Sequence, residues 1–297
     1  MNLSVFARAL RLPFLSASVL PFVAGSLFAR GHWNPAGFLL GFIAVSATHL
    51  SANLINDYAD SKSGADWEDR NYYAFFGGSK LIQAGVLKEG FYLKTAVFFA
   101  VLACACVFGL VFLSGSIVPL VYFAGIIFLA WSYSQKPIAF SYRAAGEPVI
   151  FLLFGPVPVM GGYFIQSGIF PDLGSFLLSL PFGFFTAAIL FVNEVPDFSE
   201  DASAGKRTWA GFTGPRRAYL LYALLAGLGF ASVVLLAAAG YISSWGLVSL
   251  ILLIPAAKAA VIIKEHSAEK AVLLGSSKLT IALQALMSLF IIGGILL

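Results

Sequence analysis

The sequence is poor in charge and in cysteine. Only 11% of its 297 residues are Asp, Glu, Lys or Arg, against about 25% in soluble domains, so an ordinary soluble fold is excluded. The two cysteines, Cys104 and Cys106, lie in one apolar run. A C-x-C pair can hold a metal, but we interpret these two as small residues at a helix interface. No glycine-rich Walker loop is present, which argues against nucleotide hydrolysis.

The chain is instead rich in long apolar runs. Hydrophobic residues make up 60% of it, 29 residues are phenylalanine and the mean hydropathy is +0.90. Runs of about 18 or more apolar residues are typical of membrane-spanning helices, because hydrocarbon offers no partner to an open backbone. We therefore predict an all-α integral membrane protein in which residues 1–297 form a single domain, a bundle around a central cavity. The nine predicted transmembrane helices are 12–30, 36–55, 91–113, 117–134, 148–168, 174–195, 217–239, 244–263 and 278–296.

The basic residues indicate the orientation of the bundle. Short cytoplasmic loops carry an excess of Lys and Arg. With the N-terminus in the cytoplasm and the C-terminus outside, every Lys and Arg except Arg30 falls at the cytoplasmic side. The net charge of +4 is then a topology signal and does not indicate a nucleic-acid partner. We predict a multi-pass protein of the cell (inner) membrane, with the lipid bilayer around it.

Two acidic clusters follow the second and the sixth predicted spans, and both should therefore emerge on the cytoplasmic face. Their members are Asp57, Asp60 and Asp66 in the first cluster and Glu194, Asp197, Glu200 and Asp201 in the second. Asparagines precede both clusters, and a histidine also precedes the first, at steps of three and four residues. This spacing places each set on one helix face. The residues so aligned are His49, Asn53, Asn56, Asp57 and Asp60, and then Asn193, Asp197 and Asp201. Pro196 makes the second alignment less regular.

Carboxylates one helical turn apart repel each other unless a cation lies among them. Hard oxygen ligands suit Mg²⁺, which binds through one or two carboxylates and takes phosphate oxygens as further ligands. Lys80 follows the first cluster, Lys206 and Arg207 follow the second, and Lys136 stands at the end of the fourth predicted span. Such basic residues bind diphosphates together with metal-bridged carboxylates. The alternative interpretation is that these carboxylates are helix-end charges solvated by water.

These motifs resemble the UbiA superfamily of intramembrane prenyltransferases. The resemblance rests on Asn56-Asp57-x-x-Asp60, on Asp197-x-x-x-Asp201 and on the nine spans. Within the superfamily, "NLINDYADSKSGAD", "GGSKLIQAGVL" and "NEVPDFSEDASAGKRT" resemble the branch containing 1,4-dihydroxy-2-naphthoate polyprenyltransferase, an enzyme of menaquinone biosynthesis. Asp66 stands two residues beyond the commonest third-aspartate position, held here by Gly64, and Glu194 stands where that branch often has Asn.

The resemblance implies a reaction and roles for the residues. Two Mg²⁺ ions would be held by Asp57, Asp60, Asp197 and Asp201, with Asn53, Asn56 and Asn193 as supporting ligands and Asp66 as a further candidate. They would bind the diphosphate of a polyprenyl donor, with Lys136, Lys206, Arg11 and Lys80 as diphosphate-binding residues and Lys136 also stabilising the leaving group. The donor's allylic cation would alkylate an aromatic acceptor, which in the naphthoate branch loses its carboxylate as CO₂. Other acceptors are 4-hydroxybenzoate, of the ubiquinone pathway, or another acceptor of the superfamily.

Three aromatic or ionisable side chains have two interpretations each. Tyr133 and Tyr142 lie near the cytoplasmic helix ends, where their rings could shield a cation or form part of an interfacial aromatic belt. His49 could orient the acceptor or take a proton, or be a packed, hydrogen-bonded residue. A metal or cation transporter is the alternative from another class, and it would place ionisable residues near the midplane of several spans.

Overall fold

A computed structural model of the protein describes residues 2–31, 33–63, 72–198, 201 and 205–297. Asp66 and Glu200 lie outside these residues. In the described part the regular structure is helical, apart from one isolated bridge between Arg143 and Arg207. The helices are α1 (Leu3–Ala9), α2 (Ser16–Phe28), α3 (Pro35–Ser63), α4 (Glu89–Ser114), α5 (Val118–Ser134), α6 (Gly146–Phe154), α7 (Pro156–Ser167), α8 (Leu173–Glu194), α9 (Trp209–Thr213), α10 (Ala218–Ala238), α11 (Leu253–Glu265) and α12 (Lys270–Leu296). Short 3₁₀ helices occupy Leu12–Phe14, Phe140–Tyr142 and Ser244–Leu252.

Seven of these helices or helix pairs are long and apolar enough to cross a membrane, or eight if the bent pair α1–α2 counts as one span. The prediction of nine spans is therefore not confirmed, although each predicted segment contains helix. The predicted span that fails the length criterion is the one formed by α5. Its 17 residues reach only about 25 Å, whereas the hydrocarbon core is about 30 Å thick. The orientation of the termini stays a prediction.

The first span is bent near its start. Helix α1 meets the segment Leu12–Phe28, which contains α2, at an angle of 54°, and Arg11 between them has left-handed backbone with φ 50°. Pro13 follows in the short 3₁₀ helix, where its missing N–H breaks the helical ladder. The predicted helix 12–30 is thus preceded by a separate turn of helix that carries Arg8 and the bend that carries Arg11.

The fifth span is interrupted at Gly155, between α6 and α7 and within the stretch "FGPVP". Pro156 lacks the N–H that would continue the hydrogen-bond ladder, and Gly155 ends α6 by donating to the carbonyl of Phe151 at 2.9 Å. Together the two halves still form one span of 22 residues.

Helix α8 lies at the centre of the bundle. In its most apolar stretch 72% of the residues are buried, against 28% in α4, and it packs on α6, α7, α10 and α12. Helices α2 and α7 approach each other most closely at Gly25, where an added Cβ would stand 1.9 Å from the carbonyl oxygen of Val159. The outward faces carry large apolar side chains such as Phe98, Phe112 and Ile254, which suits a lipid surrounding.

Candidate active site

One cavity of about 690 Å³ runs through the half of the bundle formed by helices α2 to α8. Polar residues line its mouth, and the rest is lined mainly by apolar residues with a few polar ones among them. Residues from Gly41 to Asp60 of α3 line the cavity, a distance of about 28 Å along the helix. The mouth is lined by Arg11, Asn53, Asn56, Asp60, Tyr133, Gln135 and Asn193. We call this space the central cavity.

Helix α3 places one side of the first acidic cluster on this mouth. Because α3 continues without a break to Ser63, His49, Asn53, Asn56 and Asp60 all line the central cavity. The Asn56 amide donates to Asp60 Oδ2 at 3.0 Å. Four of the five residues that the spacing predicts on one face therefore line the cavity together, and Asp57 is the exception.

Asp57 faces a different neighbour. It is 3% exposed and forms an ion pair with Arg11, and it accepts a hydrogen bond from the backbone N–H of Ser79 at 3.2 Å. Arg8 donates to the carbonyl of Ser79 at 2.8 Å, so the 77–80 loop is fastened between the first helix and α3. Lys80 follows in this loop, buried and with φ 56°. Asp57 and Lys80 thus lie beside the mouth and do not line the cavity.

The second cluster follows the end of α8. Helix α8 ends at Glu194, so Asp197 and Asp201 lie beyond it; Pro196 cannot supply the N–H that a continuing helix needs. The N–H of Asp201 nevertheless donates to the carbonyl of Asp197 at 2.8 Å, which keeps both on one turn. Asn193 lines the central cavity, and its buried Oδ1 atom has no hydrogen-bond partner in the structure.

Lysines compensate the carboxylates of this second cluster. Lys206 Nζ lies 3.1 Å from Asp201 Oδ2 and 3.8 Å from Glu194 Oε1, and Lys270 Nζ lies 3.4 Å from Asp197 Oδ1. Burial lowers the pKa of Lys206, but the charges of Glu194 and Asp201 outweigh burial and leave the pKa above its ordinary value. Lys206 is therefore a cation held among the carboxylates. Lys270, at the start of α12, is a second cation that the sequence motifs do not indicate.

Tyr133 connects the two clusters. It lines the mouth and lies within electrostatic reach of Asp60 from the first cluster and of Asp201 and Glu194 from the second. The other two predicted residues of this region lie elsewhere: the side chains of Lys136 and Tyr142 are exposed and do not line the cavity. The reason is that α5 ends at Ser134 and the chain turns away after Gln135.

Sequence reasoning missed Glu147. This residue lies in the first turn of α6, is 1% exposed and accepts the N–H of Trp209 at 3.2 Å. Its carboxyl group lies within electrostatic reach of the Glu194 carboxyl group, and the Oε2 atom of each is buried without a hydrogen-bond partner. An acidic residue at the start of an apolar run, in "GEPVIF", was the available signal. Glu147 thus connects α6 to the 205–209 loop and helps to fix the loop that follows the second cluster.

The donor atoms at the mouth fit Mg²⁺. In the residues that the structure describes, no three His, Cys, Asp or Glu side chains come close enough to hold a metal ion. Asp57, Asp197 and Asp201 are each paired with a cation. Mg²⁺ needs only one or two carboxylates and completes its shell with water and phosphate oxygens. The partnerless oxygen of Asn193 at the mouth is the kind of atom that such an ion satisfies.

Comparisons with known proteins show which family this sequence resembles. The model of the UbiA prenyltransferase family matches residues 18–282. Among curated relatives, UbiA prenyltransferase domain-containing protein 1 of Gallus gallus is 31% identical over 228 residues, covering 75% of this chain and 66% of the relative. The protein of the same name from Mus musculus is 33% identical over 227 residues, which cover 73% of this chain and 63% of the relative. The chain thus spans about two thirds of the length of these relatives, whose name does not specify the naphthoate branch.

Solved structures share the fold. The apo structure of a UbiA homologue from Aeropyrum pernix K1 matches with a TM-score of 0.67 at 18% identity, covering 95% of this chain and 96% of the other. A UbiA homologue from Archaeoglobus fulgidus bound to GPP and Mg²⁺ matches with a TM-score of 0.55 at 16% identity, covering 97% and 99%. Because the family model matches most of the sequence and the helical bundle agrees, this chain belongs to the UbiA prenyltransferase family.

Proposed function

We propose that the protein transfers a polyprenyl group from an allylic polyprenyl diphosphate to an aromatic acceptor in a Mg²⁺-dependent reaction, with 1,4-dihydroxy-2-naphthoate as the first candidate acceptor. The observation that carries the proposal is the central cavity, which joins a mouth of amides and a carboxylate to a long apolar interior. Such a shape suits a molecule with a charged head and a hydrocarbon tail.

The mouth provides the ligands for the head group. Asp60, Asn56 and Asn193 would hold Mg²⁺ together with the neighbouring Asp57, Asn53, Asp197 and Asp201. When bound, the ion would neutralise diphosphate charge and make it a better leaving group. Arg11 lines the same mouth and its guanidinium would bind a diphosphate oxygen. Lys206, fixed by Asp201 and Glu194, would add positive charge beside the leaving group.

The interior provides the conditions for the carbon–carbon bond. The C–O bond of the donor breaks and its electron pair leaves with the diphosphate, and an aromatic carbon of the acceptor supplies the pair for the new bond. Ile150, Phe154 and Leu190 line the cavity just inside the mouth and would exclude the water that otherwise traps an allylic cation. The Tyr133 ring lines the cavity mouth and would face that cation.

The acceptor assignment rests on the sequence motifs. The spacing of the first motif resembles the naphthoate branch, and in that case the ring carboxylate leaves as CO₂ while its bonding pair restores the aromatic ring. The UbiA homologue from Archaeoglobus fulgidus has been solved with GPP and Mg²⁺ and with DMAPP and Mg²⁺, which supports a prenyl diphosphate donor here. 4-Hydroxybenzoate or a related phenol is the alternative acceptor. Transport receives no support, because among the described residues that line the cavity the charged ones, Arg11 and Asp60, are confined to the mouth.

The test uses membranes that contain the protein. With labelled polyprenyl diphosphate and 1,4-dihydroxy-2-naphthoate, we expect a lipophilic labelled product that disappears with EDTA and returns with excess Mg²⁺. Membranes without the protein are the control. Undiminished product in EDTA would overturn the metal-dependent reaction, and a clear preference for 4-hydroxybenzoate in a parallel assay would overturn the naphthoate assignment alone.

The length of the prenyl tail should depend on the apolar end of the cavity. Gly161 on α7 lines it, and a Cβ added there would stand 3.4 Å from the Tyr122 ring, so a larger side chain would project into the lumen. We expect Gly161→Leu to lower kcat/KM for long donors by about tenfold while short donors such as geranyl diphosphate retain their rate, since burying the last isoprene unit contributes more than 1.4 kcal/mol.

The matched control for this substitution is Gly125→Leu. Gly125 lies on α5 outside the central cavity, and an added Cβ would meet no atom within 4 Å. A donor-length profile of Gly161→Leu that matches both the control and the wild type would show that the tail does not occupy this end of the cavity.

A further inference from the structure

The polar side chains that line the membrane-buried part of the central cavity are satisfied by the backbone in several cases. Thr48 donates to the carbonyl of Ala44 at 2.7 Å, Ser51 to that of Ala96 at 2.9 Å, and Thr186 to that of Phe182 at 2.9 Å. His49 differs, because its Nε2 atom is buried and has no hydrogen-bond partner. The side chain is 8% exposed and lines the cavity. A buried, unpaired ring nitrogen calls for a ligand or a functional explanation.

The ring of His49 is held in place by two other helices. Ser18 of α2 lies with its Oγ atom 2.6 Å from Nδ1, and Phe154 at the end of α6 packs edge-to-face against the ring with centroids 5.7 Å apart. In either tautomer Ser18 uses Nδ1, so Nε2 is the nitrogen available to a bound molecule. Ser18 is itself buried and lines the cavity.

The position of His49 limits which chemical group of the two substrates can contact its Nε2 atom. It lies one helical turn, about 6 Å, inward from Asn53, between the diphosphate-binding mouth and the apolar interior. A prenyl tail has no polar atom to pair with Nε2, and the diphosphate belongs at the mouth. A hydroxyl group can both donate and accept a hydrogen bond, so it matches either tautomer of the imidazole.

We propose that Ser18 and His49 form a hydroxyl-binding subsite for the aromatic acceptor, in which His49 Nε2 hydrogen-bonds to a ring hydroxyl and Ser18 fixes the imidazole. The subsite orients the acceptor so that its reacting carbon faces the first carbon of the prenyl group. This assignment rests on the proposed prenyl transfer and adds the acceptor side of the site. Ser18 is a positioning residue and His49 is a binding residue.

Two substitutions at His49 separate the two ring nitrogens. His49→Asn places an amide where Nδ1 lies, so contact with Ser18 can persist while the group facing the cavity is lost. His49→Gln extends an amide toward the position of Nε2. We expect His49→Asn to raise KM for the acceptor by about tenfold, the effect of losing one hydrogen bond to a buried group, with KM for the prenyl diphosphate unchanged. His49→Gln should recover part of this loss, and Ser18→Ala should cause a smaller rise of about threefold.

Competitive inhibitors give the second measurement. In the wild type, 1-hydroxy-2-naphthoate or 4-hydroxy-2-naphthoate should inhibit about tenfold better than 2-naphthoate, whereas in His49→Asn all three should inhibit alike. Detergent-solubilised variants are first compared with wild type by thermal unfolding. If His49→Asn fails to fold, the comparison is made with His49→Gln and Ser18→Ala.

The possible outcomes separate the two proposals. Wild-type transfer with an unchanged acceptor KM in the folded variants would overturn the hydroxyl subsite, as would a rise confined to the KM of the prenyl diphosphate. Absence of any Mg²⁺-dependent transfer in the wild type would instead overturn the proposed function.

Discussion

Replacement of Asp60 by asparagine is expected to lower the rate of prenyl transfer by about 10²–10³-fold, the range seen when one electrostatic contact to a developing negative charge is removed. Asp60 is the carboxylate of the first cluster that lines the cavity mouth. Asparagine keeps its shape and can still accept the hydrogen bond from Asn56 that the structure shows at 3.0 Å. The loss should therefore appear in turnover at saturating Mg²⁺, with the thermal unfolding midpoint of the metal-free protein nearly unchanged.

The matched control is Asp172→Asn. Asp172 lies at the N-terminal end of α8, and the second acidic cluster follows the other end of that helix. Asp172 caps that helix by accepting the N–H of Ser175 at 2.6 Å, and asparagine is an equally good N-cap. This variant should turn over at nearly the wild-type rate. An Asp60→Asn variant with the same rate as this control would remove Asp60 from the metal site.

Replacement of Asn193 by leucine is expected to separate activity from stability. Asn193 Oδ1 is buried at the mouth without a hydrogen-bond partner, and an unsatisfied buried acceptor costs about 1–3 kcal/mol. Leucine of similar volume removes that cost, so the metal-free protein should unfold at the same or a higher temperature. Loss of a metal-facing oxygen should lower turnover by about 10²-fold.

Ligand-induced stabilisation measures the same loss without turnover. Mg²⁺ with a non-hydrolysable prenyl diphosphate should raise the unfolding temperature of the wild type, since a ligand that binds only the folded state stabilises it. Asn193→Leu should show little of this rise. The control is Thr186→Val, because Thr186 lines the same cavity but donates to its own helix at Phe182. An Asn193→Leu protein that is destabilised and still gains stability from the ligand would show that this oxygen has a structural role.

Local patterns predicted much of the helical structure. Composition indicated a membrane protein because apolar side chains far exceed those of soluble domains, and the apolar runs predicted each helical segment. The number of full membrane spans that these runs predicted was not confirmed, since hydropathy does not reveal that α5 is short or that the chain bends before α2. The cavity-facing set on α3 was predictable because residues three and four apart share a face of any unbroken helix.

Contacts between distant segments were not predictable in this way. The sequence shows carboxylates and cations but not which of them meet, so the pairing of Arg11 with Asp57 could not be assigned. The same holds for Lys270 with Asp197, 73 residues apart. Such pairs depend on the angles at which helices pack, and these angles are set by residues such as Gly25 that let two backbones approach.

The sequence by itself determined the membrane class, the family motifs and the helix face that carries His49, Asn53, Asn56 and Asp60, because these are properties of composition and of the 3.6-residue period. Only the tertiary structure decided which side chains face the cavity. It turned Asp57 toward Arg11, left Lys136 exposed, and brought Ser18 against His49 from 31 residues away. The physical reason is that a side chain's direction on its own helix is local, whereas its neighbours are supplied by whichever helices pack beside it.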